Sequence, residues 1–173
     1  LIQGLPSMIG KTLALFDEIR PLAHSLTTAR SAIYLGRDVL FPVALEGALK
    51  LKELSYIHAE GFASGEMKHG PIALIEDGLP VIALLAADEV MGKAASNLQE
   101  ASARGARIIL VTEDRAATAV DFADEIVRVP NVDPLLAPIL LTVPVQILAY
   151  LTAFEKGTDV DQPRNLAKSV TVE

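Results

Sequence analysis

Four short apolar runs set the framework of the chain: Ala32 to Gly36, Pro80 to Leu85, Arg107 to Thr112 and Glu125 to Val129. Each reads as continuous rather than alternating, the pattern of strands covered on both faces in a parallel sheet. Between the runs the apolar spacing lengthens to a helical period. Met8, Leu13, Leu15, Phe16, Ile19 and Leu22 predict helix from about Pro6 to Thr27, interrupted by Pro21. Phe41 to Ile57 is helical in composition, with Pro42 near the first turn, where a missing N–H costs nothing. Glu89 to Arg104 predicts an amphipathic helix stopped by Gly105, and the stretch from Thr118 to Phe122 reads as helix or loop. Strands alternating with helices predict an α/β fold, an open three-layer αβα sandwich around a central parallel sheet. Ligands in such sheets sit beyond the carboxyl ends of the strands, so the loop Gly36-Arg37-Asp38 and the following helix start are expected there.

The longest apolar stretch, Leu135 to Phe154, runs twenty residues without a charge. That length would span a bilayer, but Pro138, Pro144, Gln146, Thr142 and Thr152 fall within it. A helix buried in the core or at a subunit interface is the better reading. Composition narrows the function classes. Apolar residues make up 51% of the chain and mean hydropathy is +0.38, a surplus that points to a partner subunit or neighbouring domain. A net charge of −7 leaves no basic footprint for nucleic acid. The absence of cysteine rules out a disulfide scaffold and cysteine zinc sites, and fits a reducing cytoplasm. The chain starts at Leu1 rather than Met, without a signal-peptide pattern, and reads as a piece of a longer polypeptide.

The helix Phe41 to Ile57 carries charge among apolar neighbours. On a wheel turning about 100° per residue, Lys50 lies roughly 40° to one side of Glu46 and Glu53 roughly 20° to the other. The stripe is bordered by Val43, Leu54 and Leu49. Two readings stay open. Glu-to-Lys spacing on a solvated face lends a helix a few tenths of a kcal/mol. Alternatively, a helix apolar nearly all round is buried, and buried charges must pair in a polar pocket, since each unpaired ion costs several kcal/mol. In that pocket Glu53 is the candidate proton-transfer base and Lys50 its electrostatic partner.

Beyond the helix, the polar segment His58 to Pro71 ends in a Gly-Pro turn, where His69 could act as a general acid or base. His24 and His58 read as structural hydrogen-bonding residues. No spacing of histidines or carboxylates indicates a metal site, no cofactor is indicated, and neither a phosphate loop nor a Gly-x-Ser-x-Gly elbow is present. The last residues, Thr158 to Glu173, read as a tail meant to be tied down. They carry Lys168, a primary amine able to attack a carbonyl.

Three segments resemble one family: Ala44-Leu45-Glu46-Gly47-Ala48-Leu49-Lys50-Leu51-Lys52-Glu53, Gly65-Glu66-Met67-Lys68-His69-Gly70-Pro71, and Asp159 through Glu173. Essentially the whole chain is similar to the C-terminal sugar isomerase (SIS) domain of the glutamine–fructose-6-phosphate aminotransferase (isomerizing) family, the glucosamine-6-phosphate synthases. The resemblance implies an SIS-type, flavodoxin-like sandwich with a C-terminal active-site tail. It implies one SIS domain over residues 1–173: an N-terminal helical segment 1–28, an αβα core 29–154 and a tail 155–173. A glutaminase module and a first SIS domain would precede it. By the same resemblance Lys168 forms an imine with the C2 carbonyl of fructose 6-phosphate, and Glu53 moves the proton between C1 and C2 beside Lys50. His69 assists ring opening in the site of a neighbouring subunit, so a homodimer is expected. Glu46, Arg164 and Ala167 are the substrate-binding candidates. Without the phosphate-gripping loop of the first SIS domain, the chain alone is expected to bind fructose 6-phosphate weakly.

Rival classes are a sugar-phosphate-sensing SIS module, a structural dimerisation domain, and an amino-sugar phosphate deaminase or deglycase. The sensing module leaves Lys168 beside Arg164 unexplained.

Overall fold

The parallel sheet forms, with one strand more than the apolar runs predict. The computed structural model describes residues 2–165. It contains β1 (Ser31–Gly36), β2 (His58–Ala63), β3 (Pro80–Leu85), β4 (Arg107–Glu113) and β5 (Glu125–Val129). All neighbours pair parallel, in the order β2-β1-β3-β4-β5. Neighbouring strand residues point to opposite faces, and both faces are covered. Tyr34, Ile82, Leu84, Ile109 and Val111 belong to one core, whereas Ile33, Leu35, Val81, Ala83, Ile108 and Leu110 belong to the other. Each such Leu, Ile or Val contributes about 1.5–3 kcal/mol through burial.

The helices are α1 (Leu5–Leu13), α2 (Phe16–Leu26), α3 (Phe41–Ser55), α4 (Met91–Ser102) and α5 (Ala137–Lys156). Residues of α2, α3 and α5 pack on the first face and residues of α4 on the second, which completes the three layers. By length and composition α5 could cross a membrane, but 61% of its apolar window is buried inside the fold, against α2, α3 and the sheet.

Several expectations need correction. The N-terminal helical segment breaks at Ala14–Leu15, not at Pro21, which lies inside α2. Pro21 is exposed, so the Asp17 carbonyl it leaves unpaired faces water, while Ile19, Leu22, Ala23 and Leu26 hold the other side in the core. Leu13 is exposed rather than in the core. Helix α3 stops at Ser55 because Tyr56 turns left-handed at φ 61°. Of the two readings for Thr118–Phe122, loop holds beyond Ala119, where the single 3-10 turn Ala117–Ala119 ends.

Strand β2 carries no apolar run. It lies at the sheet edge, pairing with β1 from Ser31↔His58 to Gly36↔Ala63. Its small residues let α3 approach closely: a Cβ on Gly61 would stand 2.9 Å from the Ala44 carbonyl oxygen.

Candidate active site

Helix α3 positions the charged stripe. It leaves the carboxyl edge of the sheet after β1 and returns to the amino edge, where β2 begins. Val43, Ala44, Gly47, Ala48 and Leu51 bury its inner side. The helix is not enclosed all round, because Leu45 and Leu49 remain 44% and 41% exposed on its outer side, an outcome between the two readings left open by the sequence. Glu46, Lys50 and Glu53 lie between the two environments, each half-buried.

The Lys50 Nζ donates to Glu53 Oε2 at 2.8 Å. This hydrogen bond raises the Lys50 pKa above the ordinary lysine value; burial opposes the rise, and the charges of Glu53 and Glu46 add to it. Lys50 is therefore held as a cation, suited to electrostatic support and unsuited to nucleophilic attack. Gln146 on α5 donates from Nε2 to Glu46 Oε1 at 3.1 Å, fixing the upstream end of the stripe. Beneath it, Tyr34 packs against Gly47, where a Cβ would approach the ring to 2.6 Å. Burial pushes the Tyr34 phenol well up, so it stays neutral.

The tail runs back onto the same end of α3. Gly157 caps α5 in the left-handed region at φ 72°. Thr158 Oγ1 then donates to the Leu54 carbonyl at 2.6 Å. The Asp159 carboxylate accepts from the N–H groups of Asp161 and Gln162 at 2.9 and 3.0 Å. The Arg164 N–H donates to the Tyr56 hydroxyl at 2.9 Å, and its guanidinium lies 4.1 Å from the centroid of the same ring. As far as Arg164 the tail is thus tied to Leu54 and Tyr56, which follow Glu53 in sequence. Lys168 and Ala167 lie outside the described residues.

His69 is elsewhere. It ends the 3-10 turn Ser64–His69 that follows β2, with Nδ1 2.8 Å from Glu66 Oε2 and its side chain 72% exposed. That turn packs on the second face, with Met67 in its core and Lys68 Nζ 2.7 Å from Glu100 Oε1 of α4, whereas Glu53 belongs to α3 on the first face. One chain does not bring the two together.

The carboxyl edge predicted to hold ligand does carry a cavity of about 600 Å³, at the point where strand order reverses between β1 and β3. Asp38, Val39, Asp88 and Leu135 line it, and among the described residues none of the predicted site residues does. Nearby Glu113 is fully buried. It accepts from the N–H groups of Ala87 and Val132, both at 2.9 Å, and pairs with Arg115 at 2.9 Å, bracing the loops beyond β3 and β5. Sequence reasoning missed Glu113 because it reads as the polar end of a strand. It missed Tyr56 because a tyrosine carries no signal of a left-handed turn, and Gln146 because it reads as one polar residue in an apolar run.

Residues 25–156, which hold the parallel sheet and the charged stripe, match the family model described as SIS domain. The chain belongs to the SIS domain family. It is similar at 55% identity, over 98% of its length, to the glutamine–fructose-6-phosphate aminotransferase (isomerizing) of Leifsonia xyli subsp. xyli (strain CTCB07). It is 52% identical to the protein of that name from Agrobacterium fabrum (strain C58 / ATCC 33970), again over 98% of the chain. The chain spans 28% of the length of either relative. Among solved structures, the C-terminal domain of glucosamine-fructose-6-phosphate aminotransferase from Francisella tularensis superposes with a TM-score of 0.89 at 40% identity, covering 92% of this chain and 45% of that one. Glucosamine-6-phosphate deaminase from Thermotoga maritima superposes with a TM-score of 0.72 at 26% identity, covering 98% of this chain and 50% of that one.

Proposed function

We propose that the chain is the isomerase-domain part of a glucosamine-6-phosphate synthase, converting fructose 6-phosphate and glutamine-derived ammonia to glucosamine 6-phosphate and water. The observation that carries this reading is the convergence of the tail and the charged stripe on the last turn of α3. Lys168 lies three residues beyond Asn165, a reach of about 11 Å in extended chain. A tether of that length supports an amine that reaches a sugar held against Glu53.

In this reading the Lys168 amine adds to the C2 carbonyl and water leaves, forming the imine. Ammonia displaces the lysine. Glu53 then takes a proton from C1 and returns it at C2, leaving an aldehyde at C1 and the amine at C2. The Lys50 ammonium anchors the Glu53 carboxylate and lends positive charge as the electron density shifts. Glu46, Arg164 and Ala167 are assigned to substrate binding, with Glu46 oriented by Gln146.

The proposed domain is a single SIS unit, residues 1–173, with segments 1–28, 29–154 and 155–173. The missing glutaminase and first SIS domain would belong to the same longer polypeptide, and the lengths of the relatives support this. A cytoplasmic homodimer, with His69 serving the partner's site, completes the assignment. The separation of His69 from Glu53 within one chain supports it.

The test uses the complete enzyme. Borohydride added with fructose 6-phosphate is expected to label Lys168. Glu53→Gln is expected to keep that label while glucosamine 6-phosphate formation falls by about 10²–10⁴-fold. Label on a different lysine, or full activity in Glu53→Gln, would reject the assignment.

A further inference from the structure

The geometry points to Tyr56 as a positioning residue that clamps the tail so that Lys168 is presented to Glu53, an inference that rests on the imine reading above. Two contacts hold the same tail residue. The Tyr56 ring lies under the Arg164 guanidinium at 4.1 Å, and its hydroxyl accepts the Arg164 backbone N–H at 2.9 Å. Side chain and main chain of Arg164 are therefore gripped together, which fixes the direction in which the chain leaves toward Lys168.

The backbone of Tyr56 makes the choice of residue informative. At φ 61° and ψ 17° it caps α3 in the left-handed region, where glycine or asparagine is the usual occupant. A bulky aromatic side chain is disfavoured there, so local structure does not explain the tyrosine. Its contacts with the tail do. The root of the tail is pinned two residues earlier on the helix, by the hydrogen bond from Thr158 Oγ1 to the Leu54 carbonyl. The two anchors, Leu54 and Tyr56, lie immediately beyond Glu53 in sequence.

Chain length supplies the expected magnitude. Lys168 stands four residues beyond the Arg164 clamp but ten beyond Thr158. Losing the clamp lengthens the tether by that ratio, and effective concentration falls roughly as the −3/2 power of tether length, about fourfold.

The experiment compares the complete enzyme with Tyr56→Gly and Tyr56→Phe. Glycine suits the left-handed cap, so Tyr56→Gly removes the clamp without straining the turn. Its rate of Lys168 trapping at saturating fructose 6-phosphate is expected to fall about fourfold, while the thermal midpoint stays at the parent's value. Tyr56→Phe keeps the ring and is expected to restore most of the trapping rate. In hydrogen exchange it should lose protection at the Arg164 amide, whose acceptor is gone. A parent-like trapping rate in Tyr56→Gly would overturn the positioning role and leave the imine reading intact. Absence of label at Lys168 in the parent enzyme would overturn the imine reading, and the role of Tyr56 with it.

Discussion

Lys50 shows how a half-buried pair divides its work. Its ammonium is held in the charged state by Glu53 at 2.8 Å and by the nearby Glu46, so its folded pKa stands above the ordinary lysine value. A cation favoured in the folded state stabilises fully below the unfolded pKa, and the contribution disappears as pH rises through the raised folded value. The urea midpoint difference between the parent and Lys50→Gln is therefore expected to be flat through neutral pH and to shrink only in the alkaline range of lysine titration. A difference that changed between pH 5 and 8 would contradict this account. The pairing itself was legible in the sequence, because i, i+3 spacing puts both groups on one helical face whatever surrounds it. The degree of enclosure was not legible, since it depends on what lies across α3 from the sheet.

At the scale of elements, the close approach of α3 to β2 holds the stripe over the sheet edge. The atoms nearest a Cβ on Gly61 are backbone, the Ala44 carbonyl oxygen and carbon and the Leu45 Cα, at 2.9, 3.0 and 3.0 Å. Backbone cannot turn aside as a flexible side chain does. Gly61→Ala is therefore expected to destabilise the fold by about 1–3 kcal/mol, the usual cost of overpacking, read as a lowered urea midpoint. A midpoint equal to the parent's would show that β2 and α3 separate freely. Strand β2 was hidden in the sequence for the same reason that it packs closely. Ala59, Gly61 and Ala63 show no β-branched or aromatic preference, and the pairing with β1 that makes this segment a strand is a long-range contact.

For the whole molecule, the decisive feature is the distribution of the proposed site over the two faces of the sheet. Glu53 and the docked tail lie on the α3 side, and His69 ends a turn packed on the other side, with Met67 in the second core and Lys68 paired to Glu100 of α4. Exposed Leu45 and Leu49 on α3 provide apolar surface for a neighbour. If His69 serves a partner's site, two inactive complete enzymes should rescue each other. Mixing Glu53→Gln with His69→Ala subunits places both defects in one site of each hybrid dimer and leaves the other site intact. With random pairing the mixture is expected to recover about one quarter of the parent activity. Recovery no greater than the residual activities of the two variants would place His69 within its own chain's site, or outside catalysis.

What the sequence determined by itself was local or periodic. Continuous apolar runs separated by helical spacing defined a parallel sheet covered on both sides, because burial on two faces leaves no polar alternation to read. The order Glu46, Lys50, Glu53 defined a stripe, because helical geometry is the same everywhere. Tertiary structure alone decided that His58–Ala63 is an edge strand, that Tyr56 turns left-handed and holds Arg164, and that His69 stands apart from the stripe. Each of these depends on contacts between residues distant in sequence, whose energies are settled by packing rather than by the residues' own conformational preferences.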